Sequence, residues 1–166
     1  MTTAKSLSSW DASKQAAWRQ SHASELTLYH FVLDASPSMH PHARDLMRAY
    51  NMYLAWLQRA AGPFALADVW TFDLALHRLS SMQSLGCVQA LTPESYRPLH
   101  GTGTALYNAV GQVCTTATQP GQHVLVVFTD GEDCALEPMW TAGQCHELLT
   151  TLQEHTGWLC VFLGAF

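Results

Sequence analysis

HVLVVF, residues 123–128, is a short and continuously apolar run that is rich in β-branched residues. Such a run is typical of a strand that is buried on both faces of a parallel sheet. LTLYHFVL, residues 26–33, predicts a second buried strand. Segments with helical spacing alternate with the strands, and this alternation predicts a three-layer α/β/α fold with an open, mostly parallel, Rossmann-like sheet.

Three further strands complete the predicted sheet. ALADVWTF, residues 65–72, and LALHRL, residues 74–79, are separated by Asp73 alone. This short separation predicts a hairpin, so that one edge strand of the sheet is antiparallel. GWLCVFLG, residues 157–164, predicts the last strand.

The spacing of apolar residues predicts four helices. Ser9 is placed to cap the first helix, and Pro41 and Pro138 stand where the second and fourth helices would begin. Gly62 would end the second helix. The predicted helices span residues 9–23, 41–62, 105–116 and 138–155.

The chain length of 166 residues predicts one domain, which we place at 25–166 after a helical extension over 1–24. The net charge is −5 and the eight Lys and Arg residues are scattered, so nucleic-acid binding is not expected. No apolar run approaches the length of a membrane span, and the N-terminus, MTTAKSLSSW, lacks the apolar core of an export signal.

The five cysteines are odd in number and form no CxxC pair. This usage predicts reduced, mostly buried thiols in a cytoplasmic protein, and it does not support a zinc site of linked cysteine pairs. The cysteines are Cys87, Cys114, Cys134, Cys145 and Cys160.

Polar side chains follow the predicted strands at the points where the strands end. Asp34, Ser36 and Ser38 follow the first strand, and Asp130 follows the strand 123–128. Thr104 lies in a glycine-bearing loop before a helix. Because open α/β sheets bind ligands beyond the carboxyl ends of their strands, we expect these side chains to meet at one edge.

The chemistry of these side chains suits a hard divalent cation. Hydroxyl and carboxylate oxygens favour Mg²⁺ or Mn²⁺ over zinc or copper. An ordinary structural alternative remains at this point. Ser36 or Ser38 could cap the helix that begins near Pro41, and Asp130 could close a turn with Gly131.

The pattern DxSxS after the first strand, a threonine in a mid-chain loop and an aspartate in a T-D-G turn resembles the von Willebrand factor A domain (VWA) with its metal-ion-dependent adhesion site. The segments GTALYNAV and VVFTDGED extend the likeness, which covers roughly residues 27–164. Family members usually continue past the strand that matches VFLG, so the resemblance implies a C-terminally shortened domain that lacks the helix which moves in switch-type members.

The resemblance also implies a metal site and a way to use it. The cation would be Mg²⁺ or Mn²⁺, with Ca²⁺ less favoured, and Asp34 and Asp130 would act partly through water. One coordination position would stay open for an Asp or Glu carboxylate of a partner protein. The implied metal residues are Asp34, Ser36, Ser38, Thr104 and Asp130.

Other residues are expected around this site. Thr102 is the rival of Thr104, which we prefer because it directly precedes ALYNAV. His40 and His42, which flank Pro41, and also His100 could bind zinc or tune the metal, although solvated rim groups are the commoner case. The residues expected at the rim of the site or behind its metal ligands are His40, Thr102, Gly131, Glu132 and Asp133.

Three functions compete at this stage. The first is a metal-dependent binding module without enzymatic activity, which captures an acidic side chain of a partner protein as a subunit or adaptor of an intracellular bacterial complex. The second is a metal-dependent hydrolase or phosphatase with His40 or His42 as the general base. The third is a metal-free scaffold that uses exposed apolar surface. The sequence does not indicate the oligomeric state.

Overall fold

A computed structural model describes residues 11–22, 25–98, 103–131, 133–135 and 138–164, without the side chains of Gln15, Trp18 and Arg19. The nine helices and strands within these ranges alternate as the sequence predicts. They are α1 (Ala12–Ser21), β1 (Thr27–Asp34), α2 (Ala43–Ala60), β2 (Ala65–Phe72), β3 (Leu76–Ser84), α3 (Leu106–Thr116), β4 (Gln122–Thr129), α4 (Ala142–Thr156) and β5 (Leu159–Gly164).

The five strands form one sheet in the order β3-β2-β1-β4-β5. β1 is parallel to β2 and β4, and β4 is parallel to β5, whereas β3 pairs antiparallel with β2 at the edge. The predicted fold class and the predicted hairpin are therefore confirmed. The register pairs Asp34 with Phe72 and Leu33 with Phe128, so the carboxyl ends of the three central strands lie side by side.

Two hydrophobic cores cover the two faces of the sheet. On one face, Phe31 and Leu33 pack with Tyr50 and Leu54 of α2. On the other face, Val32 of β1 belongs to a core that includes buried residues of α3 and α4. Strict alternation along β1 thus places helices on both sides of the sheet, because successive side chains of a strand point to opposite faces.

Two helices begin later than predicted. α2 begins at Ala43 rather than Pro41, after a single 3₁₀ turn over Pro37–Met39. α4 begins at Ala142 rather than Pro138, because Thr141 forms a capping box with Gln144. Each side chain of this box satisfies a backbone N–H of the first turn, and this fixes the helix start.

The N-terminal extension contains α1, which Asp11 caps through a hydrogen bond of 2.9 Å from the backbone N–H of Lys14. The predicted cap, Ser9, and Trp10 lie outside the described residues. The side chains described within α1 are exposed, and they therefore do not contribute to either core.

The cysteines in the described residues are free thiols, but fewer of them are buried than predicted. Cys114 and Cys145 are buried and Cys160 is half-buried, whereas Cys87 and Cys134 are exposed. Among the described residues, no helix combines the length and the apolar character that crossing a membrane requires.

Candidate functional site

Asp34 ends β1 as a fully buried carboxylate with a fixed orientation. Its Oδ1 accepts a hydrogen bond of 2.8 Å from the backbone N–H of Ser36, and its Oδ2 accepts one of 2.7 Å from the hydroxyl of Thr129. The hydroxyl of Tyr96 donates to the backbone carbonyl of Asp34. These contacts hold the side chain at the carboxyl edge of the sheet.

Ser36 and Ser38 bring two hydroxyl groups to the same place. Ser36 is buried and Ser38 is exposed, and their hydroxyls form a hydrogen bond with the Oγ atoms 3.0 Å apart. Neither side chain caps α2, because His42 occupies the N-cap position and makes no side-chain capping bond. Helix capping by these serines, the structural alternative from the sequence, is therefore wrong.

Asp130 follows β4, and one oxygen of its carboxylate has an unusual environment. Its Oδ1 is buried and has no hydrogen-bond partner in the described part of the chain. The turn that follows is closed by Thr129 instead, whose hydroxyl accepts a hydrogen bond of 3.0 Å from the N–H of Gly131. Gly131 has a φ of 93°, which only glycine adopts readily. Asp130 is thus left without the turn-closing role that the structural alternative gave it.

The two carboxylates are close enough to affect each other. Burial, and to a smaller extent the negative charge of Asp130, raises the pKa of the Asp34 carboxyl above its usual range. No Lys or Arg side chain of the described residues forms an ion pair with either group. Negative charge at this edge is therefore left uncompensated by nearby basic residues.

Thr104 lies between the loops that follow β2 and β4, and it is 3% exposed. The N–H of Ala105 donates to the carbonyl of Asp73, and the N–H of Cys134 donates to the carbonyl of Thr104, both at 2.7 Å. Gly103 precedes Thr104 with a φ of 116°, and a Cβ there would meet the Leu74 side chain at 3.2 Å. These contacts position the threonine loop at the same edge of the sheet as Asp34.

We call Asp34, Ser36, Ser38, Thr104 and Asp130 the oxygen cluster. Within the described residues, no group of three or more His, Cys, Asp or Glu side chains could hold a metal ion. The oxygen cluster combines two carboxylates with three hydroxyls, and it therefore differs in chemistry from such a group.

The expected rim residues have different locations. Thr102, Glu132 and His100 lie outside the described residues. His40 is exposed and His42 is half-buried. Asp133 accepts a hydrogen bond of 3.2 Å from the N–H of Tyr107, so its carboxylate satisfies a free N–H in the first turn of α3.

Two residues of the site were not identified from the sequence. Thr129 was read only as part of the T-D-G turn, although its hydroxyl links Asp34 to Gly131. Tyr96 lies in a segment without a regular pattern, 62 positions from Asp34 along the chain. The alternation of strand β4 could have indicated Thr129, whereas no sequence signal indicated Tyr96.

Comparison with solved structures identifies the fold. The protein BatB from Bacteroides thetaiotaomicron matches with a TM-score of 0.57 and 19% identity, over 83% of this chain and 66% of that chain. VWA2, the ArnB paralog from Sulfolobus acidocaldarius, matches with a TM-score of 0.55 and 14% identity, over 85% and 35%. The vWF domain of the pilus tip protein Mfa5 from Porphyromonas gingivalis matches with a TM-score of 0.52 and 15% identity, over 66% and 39%.

The chain has the fold of a von Willebrand factor A domain. Its VWA fold spans about two thirds of the BatB chain and about a third of the VWA2 chain. No family model and no curated protein matches the sequence. With identities of 14–19%, the likeness to these solved structures concerns the fold.

Proposed function

We propose that this VWA domain is a protein-binding module that holds a divalent cation in the oxygen cluster and uses it to capture an Asp or Glu carboxylate of a partner protein. It binds its partner without turnover. The observation that carries the proposal is the buried Oδ1 of Asp130, which lacks a hydrogen-bond partner among the described residues, beside the buried carboxylate of Asp34.

The unpartnered Oδ1 of Asp130 supports the proposal that a cation binds here, because leaving this atom unsatisfied costs free energy. A buried polar atom without a partner costs about 1–3 kcal/mol, and charged groups cost more. A fold keeps such an atom when a ligand supplies the missing interaction. A cation near Asp34 and Asp130 would satisfy this atom and would also offset the charge between the two carboxylates.

The spacing of the serine hydroxyls supports an octahedral ion. Mg²⁺ binds oxygen at about 2.1 Å, so two neighbouring ligands of an octahedron lie roughly 3.0 Å apart. The Oγ atoms of Ser36 and Ser38 are 3.0 Å apart. Asp34, Ser36, Ser38, Thr104 and Asp130 would hold Mg²⁺ or Mn²⁺, which would supply a positive centre for an external carboxylate.

The setting that we propose for the module is a cytoplasmic assembly of a bacterial cell, in which it acts as a subunit or adaptor. The free thiols of the described residues support a reducing compartment.

Titration with Mn²⁺, followed by electron paramagnetic resonance, tests the metal site. We expect one bound ion in the wild type and none at the same concentrations in Asp130→Asn. The control is Glu147→Gln, which removes one exposed negative charge from α4 and should leave binding unchanged. Equal binding by the wild type and Asp130→Asn would contradict the site.

Capture of peptides tests the binding function. Two pools of immobilised random peptides are compared, one with Asp and Glu and one in which Asn and Gln replace them. We expect the domain to bind the acidic pool with Mg²⁺ and to release it with EDTA. Retention of both pools in EDTA would contradict capture through a metal.

A further inference from the structure

A second buried polar cluster crosses the sheet on the face that carries α3 and α4. His30 of β1 contacts Asp68 of β2 at 3.0 Å between Nδ1 and Oδ1, and it contacts His123 of β4 at 2.9 Å between Nε2 and Nδ1. His123 in turn contacts the carbonyl of Gln119 at 2.9 Å through Nε2. We call Asp68, His30 and His123 the histidine relay.

The histidine relay is sealed from solvent. His30 is 1% exposed, Asp68 is 3% exposed and His123 is 5% exposed. Trp158 stacks on both imidazole rings, with centroid distances of 5.4 Å to His30 and 4.4 Å to His123. A ring nitrogen inside this stack cannot exchange its protein partner for water, so each contact has to be satisfied within the fold.

Counting protons shows that two neutral rings cannot satisfy the relay. Its three short contacts each need one proton, because each joins two atoms that both carry lone pairs. Two neutral imidazoles carry only two N–H groups. In the neutral state one contact therefore lacks a proton: that of His30 with Asp68, that between the two rings, or that of His123 with the Gln119 carbonyl.

Arg78 of β3 decides where the third proton resides. Its Nη2 donates to Oδ2 of Asp68 at 3.0 Å, and its guanidinium lies 4.5 Å above the Trp70 ring. Asp68 thus accepts from Arg78 through one oxygen and contacts His30 through the other, so we place the extra proton on the imidazole pair. The thiols of Cys114, Cys145 and Cys160 also belong to this face, and burial raises their pKa values, so they stay neutral.

We propose that His30 and His123 share one extra proton inside the sheet, so that the imidazole pair carries a single positive charge at neutral pH and makes the fold most stable near pH 6.5. No residue of the relay belongs to the oxygen cluster. His30 and Asp34 are four positions apart on β1, which corresponds to roughly 13 Å along a strand.

The pH dependence follows from proton linkage. Below about pH 6.5 the two histidines of the unfolded chain each bind a proton, whereas the folded pair holds one, so stability falls as the pH falls. Burial lowers the pKa of His123 and so opposes a proton on that ring, whereas the contacts with Asp68 and the Gln119 carbonyl favour one on the pair. Above about pH 6.5 the unfolded histidines hold none and the folded pair still holds one, so stability also falls as the pH rises.

Thermal melting between pH 5 and 9 tests the proposal. We expect the melting temperature of the wild type to peak near pH 6.5 and to fall by about 3 °C per pH unit on each side. The variant His30→Phe keeps an aromatic ring in the stack and removes the shared proton, so its alkaline decline should disappear. The control His146→Phe changes an exposed histidine of α4 and should keep the wild-type profile. The same alkaline slope in the wild type and His30→Phe would overturn the proposal.

Nitrogen-15 NMR of the histidine rings tests the shared proton in the wild type, even where His30→Phe does not fold. At pH 7 we expect two buried rings whose nitrogen shifts together indicate one positive charge. Two neutral rings at pH 7, each as a single tautomer, would overturn the proposal.

Discussion

The oxygen cluster and the histidine relay are both polar and both include buried residues of β1 or its carboxyl end, yet they differ in how far their hydrogen bonds are satisfied. The histidine relay forms a continuous series of contacts of 2.9–3.0 Å, which Arg78 extends through its hydrogen bond to Asp68. In the oxygen cluster, two carboxylates lie close together and Oδ1 of Asp130 has no partner among the described residues. Buried polar groups that are satisfied within the chain stabilise a fold, whereas an unsatisfied one costs free energy that an external ligand can recover.

The largest expected effect is a loss of metal affinity, which should follow a substitution in the oxygen cluster and not one beside the histidine relay. Asp130→Asn should weaken Mn²⁺ binding by about 100-fold or more, because it removes the charge of a proposed ligand. The same change should raise the melting temperature of the metal-free protein by about 3 °C, since the negative charge of Asp130 opposes that of Asp34. Calorimetric melting with EDTA and titration with Mn²⁺ measure the two effects, and a lower melting temperature in EDTA would contradict the comparison.

A change at Arg78, which contacts the histidine relay, should lower stability and leave metal affinity unchanged. Arg78→Met leaves the buried charge of Asp68 with the imidazole pair as its main partner, and it should lower stability by about 2 kcal/mol. Metal affinity should stay within twofold of the wild type, because the relay does not contact the oxygen cluster. Denaturant unfolding and Mn²⁺ titration test this, and a large loss of metal affinity would show that the two clusters are coupled.

The pH dependence of metal binding is the next prediction. Burial and the charge of Asp130 raise the pKa of Asp34, so protons compete with the cation at a higher pH than for an ordinary aspartate. Mn²⁺ affinity should therefore fall as the pH falls through the raised pKa of Asp34, before free aspartate is protonated. Titrations at successive pH values from 7 downward measure this, and constant affinity down to the usual range of aspartate would contradict it.

The smallest effect concerns Tyr96, which supports the oxygen cluster from outside. Tyr96→Phe removes the hydrogen bond to the Asp34 carbonyl and should cost about 1 kcal/mol of stability. Metal affinity should fall by less than tenfold, because the backbone at Asp34 loses one support and no ligand is lost. A Mn²⁺ titration of Tyr96→Phe measures this, and complete loss of binding would mean that Tyr96 contributes more than support.

The sequence predicted the buried strands better than the helix starts and better than the exposed edge strand β3, which was expected at 74–79 and spans Leu76–Ser84. The buried strands are apolar runs whose pattern is local, and the strand at 123–128 extends by only one residue at each end to Gln122–Thr129. The predicted start of α4 was wrong because it was placed at Pro138, a residue that is common at helix starts. The capping box of Thr141 determines the observed start.

The two clusters differ in how far the sequence could predict their contacts. The residues of the oxygen cluster could be named because each follows a strand, and strand ends meet at one edge in this fold. The histidine relay was not predicted, because His30 and His123 stand within apolar runs and become neighbours only through the sheet register. The contact of His30 with Asp68 spans 38 positions of the chain and that with His123 spans 93, so no local sequence signal indicates either.

Diffraction from crystals of this protein soaked in Mn²⁺ tests the central claim most directly, because the anomalous signal of manganese locates the ion. We expect one peak at bonding distance, about 2 Å, from the Oγ atoms of Ser36 and Ser38, with Asp34, Thr104 and Asp130 around it. Crystals that diffract well and show no peak in the oxygen cluster at saturating Mn²⁺ would contradict the metal site.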